Sequence, residues 1–395
     1  MRMIEKCNCC KAQTQNIFNL RFEDIIGMAE KYEQKIQICE KCGFIFTGNP
    51  FEQELLDNRY KNYSKFEFDD DSYILDEAED YKVRSRRQYQ FIDRVIGMKE
   101  IESVLEVGAS SGYNLSLYKK NCKCLGIEPS KRNCINAKQI YGVELYPGTF
   151  EEYMNSGIEE KFDIIFLSMV LEHIVNPVDF LKNCSVINNK YLFVEVPVLD
   201  YKYVDEPYGI FCEEHVNLFT LESLQKIMKE CGYKLVNADM ILGLEQALPA
   251  GFPSIATIWE KSNEEIKIHK SIISSELLFE KYLEDSKVQM KRIYEIIENI
   301  PNEKKLAVWG TGHHASMLLA NTSLKEKNIV RVWDSDERKW GEKMANVEIS
   351  PYNGVDIEKK KVEVVLLATY TAQKSLERIL VDGEYSIEII KLYDI

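Results

Sequence analysis

Histidine is scarce in this chain, with five in 395 residues. Positive charge is short as well: 50 Lys and Arg stand against 64 Asp and Glu, a net charge of -14. A protein that grips a nucleic-acid backbone concentrates the opposite charge, so that class is set aside. A nucleotide ligand needs only a local pocket and stays open. No stretch reaches the roughly 18 apolar residues of a membrane span, and MRMIEKCNCC lacks the apolar run of a secretory leader. Low-complexity tracts and fixed-period repeats are also missing. The expectation is a soluble cytoplasmic enzyme of two or three domains, with neither membrane nor nucleic acid as partner.

What is present starts with cysteine. Eleven is an odd number in a chain composed like a cytosolic enzyme, which favours metal ligands or buried thiols over a disulfide framework. Cys7 and Cys10 form one C-x-x-C, and Cys39 and Cys42 form another, with 28 residues between. Four thiolates satisfy tetrahedral Zn2+, and a closed shell makes such a site structural. Cys9 could replace Cys7 or Cys10, although the spacing favours the pairs as given. Gly43, after the second pair, suits a left-handed knuckle turn.

From Ser103 onward, apolar runs alternate with helical patterns. SVLEVG, CKCLGIE, FDIIFLS and YLFVEVP read as buried strands in the βαβ rhythm of a parallel, doubly wound α/β sheet. Residues 263–300 carry Ile266, Ile273, Leu277, Val288, Ile293 and Ile297 at helical spacing, predicting a long amphipathic connector. A second βαβ pattern begins at KLAVWGTG and continues through NIVRVWDSD and VEVVLLATY.

The first strand of the larger pattern runs into Glu106-Val-Gly108-Ala109-Ser-Ser-Gly112. Small residues let the backbone approach a ligand, and the following helix offers free N–H groups. The Gly-x-Gly-x-x-Gly of a dinucleotide turn is absent, because Ser110 stands where its central Gly belongs. A glycine-poor turn with an acid two residues ahead resembles motif I of class I methyltransferases, which bind S-adenosylmethionine (SAM). On that resemblance Glu106, Gly108, Ala109 and Gly112 cradle the cofactor. Glu128, at the end of the next strand and followed by Pro129 and Ser130, accepts the ribose hydroxyls. Phe150 in GTF covers the adenine, and Ser168 and Met169 flank the ligand.

With these placed, the whole chain resembles the SAM-dependent sugar C-methyltransferases that make branched deoxysugars. The match lies in the two Cys pairs, in EVGASSGYNL, in GIEPS and in the Glu-His of GIFCEEHVNLFT. It implies an N-terminal zinc-binding and substrate-lid domain over residues 1–90 and a SAM-binding, Rossmann-like core over 91–245. A helical connector over 246–300 and a C-terminal Rossmann-like α/β domain over 301–395 follow. It also implies a nucleotide-linked keto sugar as substrate, in surface-polysaccharide or secondary-metabolite synthesis. His215 would be the base that removes a proton beside the keto group, and Glu214 its partner. Imidazole suits that task because its pKa lies near working pH. His173 resembles a position near the transferred methyl, or is a helix-start residue.

The family's Tyr before the Glu-His is Cys212 here, Leu218 replaces an aromatic, and QALPAGFPSIATIW replaces a Gly-Gly-Ser-type strand. O-methylation of a sugar hydroxyl by the same His is therefore a second expectation. Tyr60 and Tyr63, in RYKNYS, match the lid segment loosely or are packed surface tyrosines. In the last domain GTGHHA reads Gly-x-Gly-x-x-Ala, with Asp334 ending the next strand. His313 there could touch the substrate's diphosphate or sugar. A third expectation, of another class, makes this domain a dinucleotide-binding oxidoreductase and the zinc module a partner-docking element.

Overall fold

The computed structural model describes residues 3–61, 79–157, 160–201, 206–241, 253–262, 266–268 and 272–394. They form two compact units: Met1–Ile17, Ile36–Lys202 and Glu214–Phe279 in the first, and Phe18–Lys35, Tyr203–Glu213 and Glu280–Ile395 in the second. Among the described residues no helix is long and apolar enough to cross a membrane.

The chain opens with β1 (Thr14–Ile25), β2 (Ala29–Cys39), β3 (Ile45–Thr47), α1 (Gln53–Lys61) and α2 (Glu79–Val95). The βαβ series follows: β4 (Ser103–Val107), α3 (Tyr113–Tyr118), β5 (Lys123–Glu128), α4 (Lys131–Asn136), β6 (Leu145–Pro147), α5 (Phe150–Asn155), β7 (Phe162–Ser168), α6 (Pro177–Ile187) and β8 (Asn188–Pro197). After β9 (Asn217–Leu218) come α7 (Leu221–Glu230), β10 (Tyr233–Ile241) and β11 (Ser254–Lys261). These build a sheet in the order β10-β11-β8-β7-β4-β5-β6.

Each predicted strand of this unit is a strand, for a reason visible in its burial. Leu105, Val107, Ile165 and Leu167 enter one core, and Val104, Ile164 and Phe166 enter the core on the opposite face. A strand covered on both sides has no polar face, hence the continuous apolar runs. Each such side chain contributes roughly 1.5–3 kcal/mol by leaving water. One expectation needs correcting. The sheet is mixed, because β11 runs antiparallel to both β8 and β10. Antiparallel neighbours need no crossover helix, so the helix-strand alternation that signals parallel pairing stops before them.

The predicted amphipathic stretch contains α8 (Ser275–Glu298). Its buried side includes Phe279, Leu283, Met290, Ile293 and Ile297, whereas Leu277 and Val288 of the expected stripe are exposed. Apolar spacing marks a helix, but two of its apolar residues need not share the face that packs.

The second unit then adds β12 (Leu306–Trp309), α9 (His313–Asn321), β13 (Ile329–Trp333), β14 (Lys343–Met344), β15 (Val347–Ser350), α10 (Gly354–Lys360), β16 (Val364–Leu367), α11 (Gln373–Asp382) and β17 (Glu388–Lys391). Its sheet runs β14-β15-β13-β12-β16-β17, parallel except for the β14–β15 pair. Trp309 and Trp333 fill its core beside Tyr352, which stacks on Trp309 at 4.2 Å.

Candidate active site at the strand ends

In an open α/β sheet, ligands bind beyond the C-terminal ends of the strands, where strand order reverses. Here that point is β4, which lies between β5 and β7. The turn after β4 takes left-handed backbone at Gly108 (φ 71°), Ser110 (φ 48°) and Gly112 (φ 77°). A Cβ on Gly108 would sit 3.0 Å from the Val170 side chain, so both conformation and space require glycine. Glu106 and Ala109 are buried beneath the turn, and Asn114 Nδ2 donates to Glu106 Oε1 at 3.0 Å.

Glu128 is tied into the same turn. Its Oε2 accepts from Ser110 N and its Oε1 from Ser130 N, both at 2.9 Å. Ser130 caps α4, with half-buried Pro129 between it and Glu128. Phe150 is buried at the start of α5, packed on Phe180 at 4.8 Å, where Thr149 and Glu152 form a capping box. Ser168 ends β7, and Met169 follows with φ 54° and its N–H on Glu195 O.

Glu195, near the end of β8, was not singled out in the sequence. It is wholly buried, accepting from Arg87 NH2 at 2.7 Å, Gln88 Nε2 at 2.8 Å and Ser254 Oγ at 3.1 Å. Gln88 also donates to Ser168 Oγ at 2.8 Å, so one side chain of α2 holds the tips of β7 and β8.

Beyond these tips lies a titratable cluster assembled from three segments. Residues 171–174 are clamped to 215–217 by hydrogen bonds: Val216 N to Glu172 O, and Asn217 Nδ2 to both Leu171 O and Ile174 O. Thr47 adds a further clamp by donating its hydroxyl to His215 O. The result places the His173 and His215 rings 5.1 Å apart, with ligand atoms of Glu172, His173 and His215 all within 4.8 Å of one another.

Glu172 places a carboxylate oxygen among the imidazole nitrogens, whereas the Glu214 carboxylate is bonded to other partners. Glu214 is engaged by Arg59 Nε at 2.5 Å and Tyr60 OH at 3.0 Å, while its backbone carbonyl meets His173 Nδ1 at 3.1 Å. Burial opposes ionisation of Glu214, but Arg59, His173 and Tyr60 outweigh it and hold the carboxyl below its ordinary value. Burial pushes Glu172 up to about 7, against the pull of His215 and Arg84. His173 is driven down to about 4, by burial first and then by His215. Tyr60 thus belongs to the cluster, whereas Tyr63 lies outside the described residues. Cys212 is buried and its carbonyl accepts from Gln34 Nε2 at 2.9 Å.

The four cysteines also converge. Cys7 and Cys42 Sγ are 3.6 Å apart, Cys10 and Cys39 Sγ 3.4 Å, and all four lie within 4.8 Å of one another. Cys9 offers its N–H to Cys7 Sγ and Cys42 its N–H to Cys39 Sγ, and the converging set of four does not include the Cys9 thiol.

In the second unit, His313 and His314 open α9 and face half-buried Glu206 at 3.5 and 3.4 Å. Asp334 accepts from Thr311 N at 2.8 Å and from Asp336 N at 2.8 Å. Burial alone would lower His313, but Glu206 outweighs it and raises it to about 9. A raised histidine stabilises fully below its ordinary value near 6.5 and loses that contribution as pH climbs through about 9. The expected result is a melting temperature for this unit that falls between those values, and a flatter profile in Glu206→Gln, read by thermal unfolding across buffers.

Residues 76–238 match the family model described as a methyltransferase domain. The C-methyltransferase NovU of Streptomyces niveus is 21% identical over 221 residues, which are 54% of this chain and 50% of that protein. The chain thus spans about half the length of this curated relative. Solved structures of similar fold include a SAM-dependent methyltransferase from Archaeoglobus fulgidus, at 16% identity and a TM-score of 0.35 over 46% of this chain and 94% of that one. Another is a magnesium protoporphyrin IX methyltransferase from Synechocystis with bound SAM, at 12% identity and a TM-score of 0.38, covering 55% and 100%.

Proposed function

We propose, from the premise that residues 76–238 are a SAM-dependent methyltransferase domain, that the enzyme C-methylates a nucleotide-linked keto sugar with His215 as base. The observation that carries this reading is the cluster of half-buried His173 and His215 with buried Glu172 just beyond the β7 and β8 tips. SAM supplies an electrophilic methyl group. The turn at Gly108–Gly112 and the Glu128 carboxylate would hold it, the latter sharing its oxygens between backbone N–H groups and ribose hydroxyls.

His215 would take the proton from the carbon beside the keto group, whose electron pair passes onto the carbonyl oxygen. That carbon then accepts the methyl. Glu172 stands where it offsets the charge of the resulting imidazolium, while Arg59 and Tyr60 hold Glu214, whose carbonyl orients His173. The homology of half the chain to a C-methyltransferase supports carbon over oxygen as acceptor.

The Cys7, Cys10, Cys39 and Cys42 set fits structural Zn2+. Tetrahedral bonds of about 2.3 Å place sulfurs roughly 3.8 Å apart, close to the separations found. The N–H groups aimed at Cys7 and Cys39 suit thiolates. Residues 1–90 would then be the zinc and lid module, 91–245 the SAM core, 246–300 the connector and 301–395 the substrate-binding domain, in which His313 is the candidate substrate contact.

The test is solvent exchange. Deuterium from D2O is expected to enter a keto-sugar nucleotide without SAM, and calorimetry is expected to show SAM binding. Methyl transfer to a hydroxyl with no carbon exchange would favour O-methylation, and failure to bind SAM would remove both.

A further inference from the structure

The Glu172–His173–His215 cluster contains an arrangement that proton removal leaves unexplained. His173 Nδ1 lies 3.1 Å from the Glu214 carbonyl, which only accepts, so Nδ1 carries the hydrogen and Nε2 the lone pair. That Nε2 points at Glu172 Oε1, 3.8 Å away. Two acceptors therefore face each other. Glu172 is 1% exposed, and its Oε2 has no hydrogen-bond partner among the described residues. A buried, unpaired acceptor carries an uncompensated desolvation penalty, larger when charged, so the site favours a positive centre. Arg84 and Glu195 also act on Glu172, with opposite sign, and Arg59 is already committed to Glu214.

We infer that Glu172, His173 and His215 form a second metal site, one that takes a divalent transition ion such as Zn2+. Two imidazoles and one carboxylate are a donor set for such ions. The Nδ1–H to carbonyl bond is the outer contact that fixes a ligating histidine's tautomer. The donor atoms, within 4.8 Å of one another, must close to about 3.3 Å for bonds of about 2.0–2.1 Å, a movement within reach of side-chain rotation. His173 and His215 are part-exposed, leaving a route for the ion and an open coordination position. An ion here occupies the lone pair with which His215 would remove a proton. Binding and proton removal therefore exclude each other, and the metal inhibits. The inhibition rests on the proposed base role of His215; the binding does not.

The experiment is equilibrium dialysis of the full chain against Zn2+, with metal counted by elemental analysis. The wild type is expected to hold one more Zn2+ than either His173→Gln or His215→Gln, with Mg2+ failing to displace it. Both variants are expected to keep the thiolate-bound ion, which shows that they remain folded around the cysteines. Loading with Co2+ gives an independent readout: the extra ion should add visible d–d absorption without thiolate charge-transfer bands. Equal zinc counts in wild type and both variants would overturn the site. An extra ion that leaves deuterium exchange undiminished would overturn only the inhibition.

Discussion

Replacing Glu195 with alanine is expected to destabilise the first unit by about 3–5 kcal/mol, because it takes a wholly buried carboxylate away from half-buried Arg87. Arg87 reaches Glu195 at 2.7 Å, and its Nε and NH1 are buried without other partners among the described residues. Removing the carboxylate takes away the partner of NH2 and leaves the buried Nε and NH1 with no anion beside them. Gln88 and Ser254 lose an acceptor at the same time, and Ser168 loses the Gln88 tether's other anchor. Urea denaturation followed by far-UV circular dichroism reads the loss as a lower midpoint at unchanged slope. The paired change Arg87→Met with Glu195→Leu is expected to recover most of it, because an apolar pair of similar volume carries no desolvation cost. A Glu195→Ala midpoint equal to wild type would show that water reaches Arg87 and that the network contributes little.

The second large effect concerns the proposed base. His215→Asn is expected to slow methyl transfer by roughly 10²–10⁴-fold, the usual contribution of a positioned general base. Affinity for SAM should change little, because the turn at Gly108–Gly112 and Glu128 lie on other segments. Glu172→Gln is expected to cost more than Glu214→Gln, as Glu172 is the carboxylate among the imidazole donor atoms. Glu214 spends its charge on Arg59 and Tyr60. Single-turnover rates beside calorimetric SAM affinities separate the two effects. If Glu214→Gln proves the more damaging, the charge balance of the site runs through Arg59 and not through Glu172.

Much of this architecture was legible in the residues. FDIIFLS and YLFVEVP could hardly be anything but strands, because seven or more residues without a polar face fit a sheet covered on both sides. The C-x-x-C pairs announced their own geometry, since each spacing closes one knuckle. What periodicity missed was β11, whose antiparallel insertion has no helix before it to announce it.

The candidate site divides along the same line. His215 stood out by rarity, Gly108 by its place after a strand, and His173 by resemblance to a position near the transferred methyl. Glu172 and Glu195 could not be told from the other carboxylates, because an acid's role depends on what surrounds it. Only the fold, through Asn217, Thr47 and the β8 tip, brings residues 43 positions apart to one point and leaves Glu172 facing imidazoles while Glu214 faces Arg59. Sequence by itself determined the residue types and the strands that carry continuous apolar runs, since those follow from short-range patterning. Tertiary structure decided which charge meets which, because electrostatic partnership depends on distance and burial, and neither is written in local order.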